Sequence, residues 1–93
     1  MIVELLEKGE QNATPAKDLA KILNIEVRDV MHIIRGERLT GEPICSNNKG
    51  YYIAADNNDL EGTIKRLYKQ GKETIRVAET MRKYHEQGAK NGN

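Results

Sequence analysis

Residues 41–54 read Gly41-Glu42-Pro43-Ile44-Cys45-Ser46-Asn47-Asn48-Lys49-Gly50-Tyr51-Tyr52-Ile53-Ala54. Gly41-Glu42-Pro43 closes whatever helix precedes it, because proline cannot continue the hydrogen-bond ladder. Two β-prone runs follow, Ile44-Cys45-Ser46 and Tyr51-Tyr52-Ile53-Ala54, separated by Asn47-Asn48-Lys49-Gly50. Asn and Gly accept positive φ, so this stretch predicts an antiparallel hairpin. Everything around it reads as helix.

On the N-terminal side, the first ten residues predict a short helix with Ile2, Leu5 and Leu6 on one side and Gly9 as its stop. Thr14-Pro15 is a helix start, with Thr14 as N-cap and proline at the first helical position. The segment 16–23 carries Leu19, Ala20, Ile22 and Leu23. Asn24 tolerates the left-handed conformation at a helix end, and Ile25 is free to turn inward. A third helix runs from Val27 to Gly36 or Arg38. Its apolar face is Val27, Val30, Met31, Ile33 and Ile34, with Arg28, Asp29, His32 and Arg35 around the rest of the cylinder.

After the hairpin the chain returns to helix. Asn57 and Asn58 are N-cap candidates, and Asp59 and Glu61 suit the positive end of the helix dipole. Leu60, Ile64, Leu67, Ile75, Ala78 and Met81 recur at near-heptad spacing, with Gly71 in the same series. The expected helix spans 58–87, about 45 Å at 1.5 Å per residue. The remainder, 88–93, is polar and expected to fray. The fold class is therefore mostly α with a small β-hairpin. A domain over 1–55 is followed by a C-terminal helix over 56–87 and a disordered tail.

Composition narrows the function. The 93 residues include no Trp or Phe, and 31 % are charged. One small domain with an aliphatic core fits this length, and a two-domain enzyme does not. No apolar run approaches the roughly 20 residues of a spanning helix, so no membrane association is expected. A single cysteine, Cys45, cannot form an internal disulfide, which suits a reducing cytoplasm. Cys45 reads as a small buried hydrophobe rather than a reactive thiol. The net charge of +1 hides an asymmetry: residues 1–42 carry six basic and eight acidic residues, residues 43–93 nine and six. No phosphate loop, HExxH pair or nucleophile arrangement is present, so catalysis, a cofactor and a metal site are not expected. His32 has no second metal ligand at suitable spacing. A structural account of His85, near the favourable C-terminal end of its helix, suffices.

Two short helices joined by a tight turn are the ingredients of a helix-turn-helix, and a hairpin directly afterwards makes a winged helix. The segment Thr14-Pro-Ala-Lys-Asp-Leu-Ala-Lys-Ile-Leu-Asn-Ile25 resembles the opening of a winged-helix DNA-binding domain of the biotin-repressor type. The segment 41–54 is similar to the wing of that group, with its Gly, Pro-Ile pair, Ser, loop and Gly-Tyr. A long helix after the wing resembles small regulatory proteins of bacteriophages and prophages. The resemblance covers residues 1–55 and only the general character of the final helix.

It implies double-stranded DNA as partner, in a bacterial host cytoplasm, with helix 27–38 in the major groove. Arg28, His32, Arg35 and Arg38 would then approach base edges; arginine bonding guanine twice is the commonest specific contact. Lys49 at the wing tip would meet phosphate or the minor groove, and Lys17 and Lys21 the backbone. Tyr51 and Tyr52 point to opposite faces of their strand; Tyr52 is taken as the exposed ring that touches DNA. Glu26, Asp29 and Glu37 oppose phosphate and keep a second reading open, a winged helix that docks on a host or phage protein. The seam Leu67, Ile75, Ala78 and Met81 predicts a homodimer through the C-terminal helix, and a break at Gly71 into a helical hairpin is the alternative.

Overall fold

The strand Gly50–Ile53 (β2) organises the N-terminal part of the chain. On one side it pairs antiparallel with Ile44–Asn47 (β1), in the register Ile44 with Ile53, Cys45 with Tyr52 and Ser46 with Tyr51. On its other side it takes up two short pieces of N-terminal chain. The Tyr51 amide donates to the Thr14 carbonyl and the Thr14 amide to the Tyr51 carbonyl, both at 2.8 Å. The Ile53 amide donates to the Glu7 carbonyl at 2.8 Å and the Gly9 amide to the Ile53 carbonyl at 3.0 Å. Gly50, with φ +147, sits where a Cβ would run into the Thr14 carbonyl, so this close approach needs glycine.

The structure is a computed structural model that describes the backbone of residues 1–90 and the side chains of residues 1–86. It is mostly helical with this small two-stranded sheet. Two units are distinguishable, Met1–Thr63 and Ile64–Asn93. In the first, helices Ala16–Leu23 (α1) and Val27–Leu39 (α2) pack together and meet the hairpin. Asn24, at φ 55 and ψ 50, ends α1 in the left-handed conformation, and its amide bonds back into the last turn. Leu19, Val30, Ile34 and Ile2 are fully buried at the centre, with Ile44 beside them. Each such side chain contributes about 1.5–3 kcal/mol by leaving water.

Four local expectations are corrected. The first ten residues are not one helix. A 3-10 turn over Ile2–Leu5 gives way to extended chain, because residues 7–9 pair with β2, and a second 3-10 turn covers Glu10–Asn12. Thr14 does not cap α1: both its backbone groups are engaged by Tyr51, and Pro15 takes the N-cap position. In α2, Gly36 does not interrupt the helix. Nor do Val27 and Met31 join its buried face; they stand 42 % and 53 % exposed. Met31 lies at the margin of the face that Val30 and Ile34 bury; Val27 is in line with that face but in the first turn, where it stays half covered, and Glu37 joins the buried face from the last turns.

The long helix is Asn57–Lys90 (α3), unbroken through Gly71. The helical-hairpin alternative is thereby set aside; a glycine within a helix costs about 1 kcal/mol and need not break it. Its N-cap is Asp56 rather than either asparagine. The Asp56 carboxylate accepts the Asp59 amide at 3.0 Å, and Asp59 accepts the Ala55 amide at 2.8 Å. The helix runs three residues past the expected end at 87, since Ala89 and Lys90 are good helix formers. The expectation of a frayed tail over 91–93 lies outside the described residues.

Candidate nucleic-acid interface

On α2 the face turned away from the core carries Arg28, His32, Arg35 and Leu39 at spacings of four, three and four. That spacing makes one stripe along a helix, and all four are exposed. Among the described residues, Arg28, His32 and Arg35 enter no ion pair. Val27 and Met31 flank the stripe on one side, Asp29 and Gly36 on the other. The Asp29 carboxylate is occupied by the Glu26 amide, 3.2 Å away, where it secures the first turn of α2. The preceding helix α1 holds Lys17 and Lys21 one turn apart, both exposed.

The hairpin turn is ordered by Asn47. Its side-chain oxygen accepts the amides of Lys49 at 2.8 Å and Gly50 at 3.1 Å, and its side-chain amide donates to the Glu10 carbonyl at 3.1 Å. The sequence signal for this was available, since Asn at the head of a turn bonds the backbone two residues on. Lys49 is left exposed at the tip.

Two residues taken as DNA contacts are used by the fold instead. Tyr52 is 4 % exposed and is paired with Cys45 on the hairpin face that meets Thr63, opposite the face whose Ile44, Tyr51 and Ile53 join the aliphatic core. Alternation puts the two tyrosines on opposite faces, and both faces are used: Tyr51, partly exposed, packs against the aliphatic core. Arg38 faces the hairpin: its Nε donates to the Ile44 carbonyl at 2.9 Å and its Nη2 to the Ser46 hydroxyl at 3.3 Å. The guanidinium lies 5.7 Å from the centre of the Tyr51 ring, within cation–π range. Its burial lowers the guanidinium pKa, with Tyr51 and Cys45 opposing that shift. Arg38 therefore ties α2 to β1 and β2.

The buried polar groups that sequence reasoning missed are all positioning groups. Glu37, 8 % exposed, accepts the amides of Ile2 and Val3. Thr63, on the first turns of α3, gives its hydroxyl oxygen to the Ser46 amide at 3.2 Å. Cys45 is a free, buried thiol whose pKa is raised by burial, partly offset by a hydrogen bond with Thr63. No group of His, Cys, Asp and Glu suited to a metal ion occurs among the described residues. No described helix is long and apolar enough to cross a membrane.

In the second unit, Ile64, Leu67, Ile75, Ala78 and Met81 are all exposed along α3. The expected dimerisation residues thus lie uncovered on the single chain.

No known protein family, curated protein or solved structure matches this chain.

Proposed function

We propose that this chain is a winged-helix DNA-binding protein, a transcriptional regulator or DNA-handling accessory factor of a bacteriophage or prophage acting in the bacterial cytoplasm. The observation that carries the reading is the stripe Arg28, His32 and Arg35, exposed on the second helix of a helix-turn-helix pair and free of ion pairs among the described residues. Side chains committed to the fold, as Arg38 is, have no freedom to read bases; these three do. A helix of this size enters the major groove, where two arginines seven residues apart, about 10 Å along the helix, reach base edges about three base pairs apart. Lys49 on the ordered turn supplies a phosphate contact, and Lys17 and Lys21 supply two more. A second copy, joined through α3, would present a second recognition helix to a two-fold operator.

The test is fluorescence anisotropy with duplex DNA flanking the protein's own gene and with a random duplex, titrated in salt. Tighter binding to the flanking duplex, with log K falling linearly in log salt, is expected from counterion release. Flat salt dependence, or no binding to either duplex, overturns the DNA reading.

One observation favours a second reading. Val27, Met31 and Leu39 expose apolar side chains beside or within the arginine stripe, Leu39 at 80 %. An apolar strip edged by arginine suits docking on a host or phage protein. Absence of DNA binding in the titration above directs attention to that alternative.

A further inference from the structure

The stripe of α3 between Ile64 and Met81 is uncovered, with Ile64 49 %, Ile75 59 % and Met81 66 % exposed. Its side chains are uneven in size. Large ones stand at the two ends, Ile64 and Leu67 at one and Met81 at the other, and small ones, Gly71, Thr74 and Ala78, in between. At heptad spacing these six form the two inward-facing registers of a helix pair. Ile64, Gly71 and Ala78 form one, and Leu67, Thr74 and Met81 the other.

A second copy running in the same direction sets each residue against itself. Gly71 meets Gly71, Thr74 meets Thr74 and Ala78 meets Ala78, three thin layers in succession. Such a stretch leaves unfilled space, which interiors packed to crystal density do not tolerate cheaply. Reversing the second copy exchanges the registers. Ile64 then meets Met81, Leu67 meets Ala78 and Gly71 meets Thr74, each pair occurring twice. Long side chains fall opposite short or flexible ones, and the thin layers shrink to the centre, where two helices can approach closely. Tyr68 and Ile75 come opposite each other just beside that centre and cover it.

The rim agrees in part. Lys65 falls on the same flank as Glu79 of the second copy, twice. The like-charged encounters, Lys72 and Glu73 each with its own copy, fall on opposite flanks; the lysine stems splay into water, and Glu73 keeps Arg76 beside it.

From this size matching we infer that α3 pairs antiparallel with a second copy of this chain over residues 64–81, about a two-fold axis between Lys72 and Glu73. The inference rests on the self-association in the proposed function and adds its direction and register. The paired stretch is about 27 Å long at 1.5 Å per residue.

Pulsed dipolar spectroscopy on the full-length chain decides it. Nitroxide labels are placed singly by Glu73→Cys and Lys83→Cys, both at exposed positions. Cys45 is replaced by Ala in one preparation and left in place, shielded by its burial, in another. Antiparallel pairing gives a short distance at position 73. At position 83 the labels lie about 32 Å apart along the axis, 21 helical steps, and the measured distance is longer still. Equal short distances at both positions mean a parallel pair and overturn the inference while keeping the dimer. Long distances at both place the contact elsewhere and also overturn it. Absent dipolar coupling with a one-chain mass in sedimentation overturns the self-association itself.

Discussion

The carboxylate of Glu37 accepts the main-chain amide of Ile2 across 35 residues of sequence, at 3.2 Å, and that of Val3 at 3.0 Å. The same group that opposes phosphate on paper is turned into the domain, where it caps the first 3-10 turn. Ile2 is 1 % exposed, so its amide has no water to fall back on. Leaving buried donors unsatisfied costs about 1–3 kcal/mol. Glu37→Leu should therefore lower stability by about that amount, more than Glu37→Gln, which keeps one acceptor oxygen. Urea melts of the three proteins measure the order; a leucine variant as stable as wild type contradicts it.

Cys45 and Tyr52 face each other across the hairpin, and burial raises both their pKa values. The unfolded chain thus gives up these protons first, at about 8.5 for the thiol and about 10 for the phenol. Above pH 8.5 the unfolded state binds fewer protons than the folded one, so stability falls with rising pH. It is fully present below that value. Thermal melts from pH 7 to 10 should show Tm declining from about pH 8.5 onward. Cys45→Ala should delay the onset of the decline toward the tyrosine range.

For the outer face of α2, the expectation is a loss of specific affinity. Arg28→Ala and Arg35→Ala should each cost about 1–3 kcal/mol on the preferred duplex and relax discrimination at one base pair. Arg38→Ala should behave differently. It removes the bonds to Ile44 and Ser46, so it should lower Tm before it alters base preference. Unchanged operator affinity in both the Arg28 and Arg35 variants removes the major-groove assignment.

Lys49 is held at the hairpin tip by the Asn47 turn. Lys49→Ala should weaken binding to all duplexes about equally and reduce the salt slope by about one. Lys49→Glu should weaken it further. If random-duplex affinity is indifferent to both changes, the hairpin is away from the phosphates.

Much of the fold was legible because it follows from punctuation and period. Pro15, Asn24, Pro43 and the Asn47–Gly50 turn mark boundaries that local sterics enforce, and α1 matches its expected span, Ala16–Leu23. What was not legible depends on contacts distant in sequence. Residues 7–9 look helical by composition, yet β2 offers them backbone hydrogen bonds that a ten-residue helix cannot match. The exposed face of α2 was legible to the extent that exposure follows the helical period, which put Arg28, His32 and Arg35 on the surface. Periodicity failed at Arg38 and Tyr52, where a strand from elsewhere in the chain decides whether a side chain is spent on the fold. Strand alternation alone could not say that both faces of β2 would be covered, Tyr51 by the aliphatic core and Tyr52 on the side of Thr63.

The exposed seam of α3 gives the last expectation. Ile75 lies beyond Gly71 and is 59 % exposed on the single chain, so within one chain an aspartate there meets water. In a helix pair it meets an apolar face, and burying an unpaired carboxylate costs several kcal/mol. Ile75→Asp should therefore dissociate the dimer, while near-core signals of residues 1–63, such as the buried Tyr52, remain those of the wild type. The freed α3 should lose helicity, since a single helix without a packing partner is marginal. Arg76→Asp, one residue on and at an outward position, should leave the mass in sedimentation unchanged. Wild-type protein sedimenting at 10.5 kDa throughout the micromolar range removes the dimer. With it goes recognition of a two-fold operator by this protein alone, because one chain presents a single recognition helix.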